Sequence, residues 1–124
     1  MTMMMMMTKT MTPEMQACMQ ACMDCQKVCM ETMTYCMTHG ITDQMLMSLM
    51  RDCAEMCMVC TNMMMGGSEF MTQTCTLCAQ MCEQCAIACE KMTGTTDMMR
   101  KIMECATMCK TCAECCKKME MMMA

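Results

Sequence analysis

The sequence is poor in what normally builds a protein interior. Its 124 residues include no Trp, one Tyr and one Phe. The branched aliphatics are limited to Leu46, Leu49, Leu77, Ile41, Ile87, Ile102, Val28 and Val59. An interior of interlocking aliphatic and aromatic side chains is therefore excluded. Proline occurs once, at Pro13, and no strand-like alternation is present, so little competes with long helices. No apolar run approaches the ~18 residues of a membrane-spanning helix. The net charge is −4 with both signs interspersed, which is not the electrostatic footprint of a nucleic-acid binder. Histidine is limited to His39. With no constellation of His, Ser and carboxylate and no phosphate-binding loop, an enzyme is not expected.

What the chain does hold is sulfur: 18 Cys and 32 Met, which make up most of the 56% hydrophobic content. The opening Met1-Thr2-Met3 to Met7 run is too short for a signal sequence and lacks its basic region and cleavage site. We therefore expect a cytoplasmic protein. In a reducing compartment, cysteines at this density point to metal binding over disulfides.

Four segments carry apolar residues at alternating steps of three and four. Thr12-Pro13-Glu14 reads as a helix start and His39-Gly40 as its stop. Thr42-Asp43, Ser68-Glu69 and Thr95-Thr96-Asp97 read as further starts, with Gly66-Gly67 and Thr93-Gly94 as breaks. The spacing predicts helices over about 13–38, 43–65, 68–92 and 96–119. Residues 1–12 and 121–124 are expected to be tails, the first of them disordered. Short connections between similar helices predict an all-α, antiparallel up-down-up-down four-helix bundle over 13–120.

The cysteines define the seams of that bundle. The first segment presents Cys18, Cys22, Cys25, Cys29, Thr32 and Cys36; the second, Leu46, Met50, Cys53, Cys57, Cys60 and Met64. The third presents Met71, Cys75, Cys78, Cys82, Cys85, Cys89 and Met92; the fourth, Met98, Ile102, Cys105, Cys109, Cys112, Cys116 and Met119. These are the core positions of packed helices. Of the cysteines, Cys115 alone falls off the pattern, which makes it the least certain ligand. Each helix thus turns a row of thiols inward. Cysteine can also serve as a small buried hydrophobe. A core of thiols alone is underfilled, however, and metal is the natural filler. Disulfides between helices are a further alternative, whereas pairs at i and i+4 are too far apart for unstrained bonds.

Thiolates suit Cu(I), zinc or iron–sulfur clusters. Charge separates them. Four thiolates around a divalent ion leave about −2 at every site, and burying that charge repeatedly is costly. Cu(I) accepts two or three sulfurs, and about one ion per thiolate would neutralise the core. An i, i+4 pair could clamp one such ion, whereas tetrahedral zinc needs ligands from several helices at one level. Iron–sulfur clusters need a different arrangement from continuous helical seams. The expected function is storage of multiple Cu(I) ions. A metallothionein-like Zn or Cd buffer and a structural or redox thiol bundle remain alternatives.

The alternation of Cys-x-x-x-Cys and Cys-x-x-Cys over roughly residues 13–119 resembles the bacterial copper storage proteins, a family of cysteine-rich four-helix bundles. The resemblance is carried by Thr12 through Cys18, Arg51-Asp52-Cys53-Ala54-Glu55-Met56-Cys57, and Cys75 through Cys89. It implies the cytosolic branch, a homotetramer, and many Cu(I) ions on seam thiolates. It also implies that copper is admitted at the end holding the first and third loops, where the family carries His and Met. Here that end offers His39, Met50, Met92 and Met98, with Met99 beside them. Met15, Met64, Met71 and Met119 would plug the other end. The remaining methionines, Met19, Met23, Met30, Met33 and Met37 among them, are expected to widen the core and form an oligomer face.

Overall fold

The structure, a computed structural model, describes residues 11–123. The expected Met1–Met7 tail lies outside the described residues. Four helices follow in order: α1 (Pro13–Thr38), α2 (Gln44–Gly66), α3 (Met71–Glu90) and α4 (Thr96–Met123). Helix α1 packs on α2 and α4, and α3 packs on the same two, so α1 and α3 stand diagonally across the bundle.

The helix starts are held by side-chain caps. Thr12 accepts a hydrogen bond from the Met15 amide at 3.1 Å, and Asp43 accepts one from the Leu46 amide at 2.9 Å. At α4, Thr95 accepts from the Met98 amide at 3.3 Å. Two ends are closed by glycines with positive φ, Gly40 at 70° and Gly67 at 62°. After each, the following amide reaches back to a last-turn carbonyl, Ile41 to Cys36 at 2.8 Å and Ser68 to Met63 at 3.0 Å.

The boundaries differ from the spacing-based expectation in three places. Helix α3 is shorter at both ends than 68–92. Ser68 is spent on a tight turn, its hydroxyl and carbonyl accepting from the Phe70 and Met71 amides, so the helix begins only at Met71. At its far end the Met92 amide closes an i−3 turn onto Cys89. Helix α4 is longer than 96–119 and runs through Met121 and Met122 to Met123. Met is a good helix former, and no Gly or Pro stops the run. Residues 11 and 12, expected in the tail, are engaged: Thr12 caps α1, and Met11 is half-buried against the core.

The interior is a column of thiols closed by a few larger side chains. Seventeen cysteines are buried and Cys115 is half-buried. At one end Leu46, Met50 and Ile102 are fully enclosed; at the other, Met64 and Met119 are, with Met15 close behind. Ala21, Ala54, Ala79, Ala86, Ala106 and Ala113 are buried between the cysteine rows, where small side chains let the helices approach closely. Three buried threonines, Thr32, Thr61 and Thr74, donate to the carbonyl four residues back in their own helices. Their hydroxyls are thereby satisfied without a partner in the column.

Candidate metal centre

The helical step of three and four residues places successive cysteines of one helix on one face, a turn apart. Packing four such faces together brings sulfurs from different helices within contact distance. Cys53 and Cys82 lie 3.5 Å apart, and Cys112 and Cys22 3.6 Å. Cys25 and Cys29 each approach Cys109 to 3.8 Å, and Cys29 approaches Cys105 equally closely. Cys57 contacts Cys78, Cys82 and Cys112, at 3.8–3.9 Å. Towards the α2–α3 loop, Cys18 meets Cys116 at 3.9 Å and Cys60 meets Cys75 at 3.7 Å. With Cys22–Cys116 and Cys25–Cys53, both 3.9 Å apart, these links join twelve of the sulfurs into one network along the bundle axis.

Almost all of these contacts cross between helices. The i, i+4 pairs that the expected clamp would use are also near: Cys78 and Cys82 lie 4.0 Å apart, and Cys25–Cys29, Cys53–Cys57 and Cys105–Cys109 lie within 4.8 Å. The shortest contacts cross the seam because side chains from facing helices point at one another, whereas sulfurs a turn apart on one helix are separated by the helix rise.

Five groups of four sulfurs have every member within 4.8 Å of the others. One takes a thiol from each helix: Cys22, Cys60, Cys78 and Cys116. The others are Cys25-Cys53-Cys57-Cys82, Cys25-Cys29-Cys53-Cys109, Cys29-Cys85-Cys105-Cys109 and Cys57-Cys78-Cys82-Cys112. Several cysteines belong to two groups, which is the arrangement bridging thiolates require. All eighteen cysteines are free thiols.

The thiols shift one another's acidity. Cys109 and Cys112 hydrogen-bond to Cys53 and Cys22 respectively and hold those two below the ordinary thiol range. Cys75 is drawn down to about 4 by Cys116 and Cys60. The opposite holds for Cys57 and Cys109, which are pushed up, chiefly through Cys112 and Cys105. A thiolate in the network is stabilised by neighbouring S–H groups, and each donor then holds its own proton more tightly. Cys36 stands apart from the groups of four; burial, followed by the charge of Cys105, pushes its thiol up. Thr32, one turn deeper, replaces a thiol and interrupts the α1 row there.

The loop end that joins α1 to α2 and α3 to α4 holds the non-cysteine candidates. His39 is exposed, stacked on Tyr35 with ring centroids 4.0 Å apart. Its Nδ1 lies 2.8 Å from the Tyr35 carbonyl. In the neutral ring that contact makes Nδ1 the donor and leaves the Nε2 lone pair free for a metal. Met92 is half-buried in a shallow pocket with Asp43, Met45, Leu46, Ala88 and Lys91. Met98 is half-buried, and its thioether occupies the space where a Cβ on Gly94 would stand. Met50 is wholly buried, below this end and one turn above Cys53. Of the expected opposite plug, Met71 is only half-buried. Cys115 lies outside the column, beside Glu14, Ala17, Lys118 and Met119.

Fold and site together define a thiol-lined four-helix bundle with the chemistry of a soft-metal binder. Residues 11–121 match the copper storage protein family, and the chain belongs to it. Two solved structures of copper storage protein 3 from Bacillus subtilis are similar to it. The apo form is 36% identical, with a TM-score of 0.73 over 85% of this chain and 97% of that one. The Cu(I)-bound form is 34% identical, with a TM-score of 0.75 over 86% and 98%. A protein of Nitrosospira multiformis is 33% identical, with a TM-score of 0.61 over 82% and 95%. No curated protein matches the chain.

Proposed function

We propose that this chain binds and stores multiple Cu(I) ions on the thiolates that line its column. The observation that carries this reading is the connected sulfur network. Neighbouring sulfurs 3.5–4.0 Å apart leave the networked thiolates able to bridge two ions. Copper at about one ion per thiolate leaves the interior neutral, which divalent ions on terminal thiolates cannot do. Membership of the copper storage family and the likeness to a Cu(I)-bound relative support the same ion. The role is storage, not catalysis.

The ligands on this reading are the seventeen buried cysteines. Cys115, half-buried and off the column, serves as no core ligand. Copper enters at the His39 end. His39 Nε2 offers an exposed first contact, the half-buried Met92 and Met98 thioethers offer soft ligands behind it, and Met50 leads to Cys53. Each thiol loses its proton as copper binds, and the protons leave to solvent. The protein works in the cytoplasm as a homotetramer. The exposed Met23, Met30 and Met37 on α1 give that assembly an apolar face. None of the described helices is long and apolar enough to cross a membrane.

Anaerobic titration of the reduced protein with Cu(I) against a coloured Cu(I) chelator tests the proposal. Uptake of well over ten ions per chain before the chelator colours is the expected result. Uptake of only a few would contradict storage.

A further inference from the structure

Tetrahedral zinc needs four sulfurs from several helices at one level, and the column supplies that arrangement more than once. We propose that the copper-free bundle binds three tetrahedral divalent ions of the zinc type, no more, at three fixed places.

The argument is combinatorial. Of the five four-sulfur groups, three share no residue. The first is Cys22, Cys60, Cys78 and Cys116, towards the α2–α3 loop. The second is Cys25, Cys53, Cys57 and Cys82, at mid-column. The third is Cys29, Cys85, Cys105 and Cys109, towards the His39 end. Each remaining group reuses sulfurs from two of these three, and no other choice among the five seats three ions at once. The distances suit the geometry. A tetrahedron with metal–sulfur bonds of about 2.3 Å has sulfur–sulfur edges of about 3.8 Å. The pairs Cys25–Cys53, Cys57–Cys82, Cys29–Cys105 and Cys22–Cys116 lie at 3.8–3.9 Å. Trigonal Cu(I) spans similar edges, so distance alone does not select the metal. Stoichiometry and charge do.

Each filled site sets four thiolates against one divalent ion and keeps about two negative charges. Among the described residues, the column offers nothing to offset them. Its buried hydroxyls, on Thr32, Thr61 and Thr74, are spent on their own helices, and the ion-paired Lys110 and Lys117 lie on the surface. Among these groups a fourth ion would have to share thiolates with a site already filled. Monovalent copper brings one positive charge per thiolate and displaces the divalent ions. The divalent ions occupy the column while copper is scarce. This inference rests on the thiol column as a metal site, not on copper storage itself.

The test is an anaerobic titration with Co(II), whose tetrahedral all-thiolate complexes show intense visible d–d bands. The bands should grow to three equivalents per chain and then stop, and added Cu(I) should bleach them. Cys60→Ser removes a member of the first group alone and should lower the endpoint to two. Cys85→Ser should do the same through the third group, and Cys18→Ser, outside every group, should leave three. Circular dichroism on each variant checks that the helices remain. An endpoint other than three in the folded wild-type chain, octahedral spectra, unchanged stoichiometry in Cys60→Ser, or bands that survive excess Cu(I) would each overturn the inference. A Cu(I) titration of the same sample reads storage separately, so either reading can fail without the other.

Discussion

Cys53 and Cys82 place their sulfurs 3.5 Å apart from facing positions on α2 and α3. Cys53 also lies 3.9 Å from Cys25 and 4.0 Å from Cys109, so one side chain joins three helices' rows to its own. Cys53→Ala should therefore cost more than its own share of copper. The expected loss is two or more Cu(I) per chain in the chelator titration. The cavity should also lower apo stability by about 1 kcal/mol, read from urea unfolding. Loss of a single ion would mean that the sulfurs act singly and not as a network.

Cys115 provides the contrast. Its sulfur lies beside Glu14 and Lys118 and belongs to none of the four-sulfur groups. Cys115→Ala should leave copper capacity unchanged, as measured by metal analysis of the loaded, desalted protein. It should also remove the one thiol that reacts readily with a disulfide reagent in the loaded form.

The His39 end governs rate, not capacity. His39→Ala should slow copper uptake in stopped-flow transfer from a weak chelator while the final count stays the same. Gly94→Ala should act through a different residue. A Cβ there runs into the Met98 thioether and must push it aside. Uptake should change in rate with helix content retained. An unaltered rate in both variants would remove this end from the path.

Much of this was legible in the sequence because the column is written in the spacing. The steps of three and four fixed which cysteines face inward, and Cys115 stood off that pattern as it stands off the column. The caps at Thr12 and Asp43 and the glycine after His39 marked helix ends by local chemistry alone. What the sequence hid is relational. Nothing in one helix's spacing tells which sulfur of a facing helix it meets, so the pairing across the seams, Cys53 with Cys82 and Cys22 with Cys112, comes only from the packed structure. The start of α3 was missed because Ser68, a good cap by type, forms a turn instead. The run of Met after Met119 reads as low complexity, yet with no breaker it simply continues the helix.

Acidity gives a signed pH dependence. Copper displaces thiol protons, so lowering the pH by one unit should weaken binding by about 1.4 kcal/mol for each proton released. The chelator competition at pH 8 and pH 6 measures this; a pH-independent midpoint would exclude thiolate ligation. The apo bundle has its own dependence. Burial holds the Cys36 thiol above its ordinary value of 9.0, so the folded state keeps a proton that the unfolded chain gives up. That contribution is complete well below pH 9.0, where unfolded thiols are protonated, and is lost as the pH rises through 9.0 towards the folded value. The urea midpoint of apo Cys36→Ala should accordingly fall less between pH 8 and pH 10 than that of the parent.

The most direct test counts thiols and copper together. Reduced protein is loaded stepwise with Cu(I) without oxygen, then probed with a disulfide reagent after each addition. If the column stores copper, reactive thiols disappear in step with bound ions until the seventeen buried cysteines are protected and Cys115 alone still reacts. Copper that binds while most thiols stay reactive would place it on the methionines or the surface, and would contradict the account.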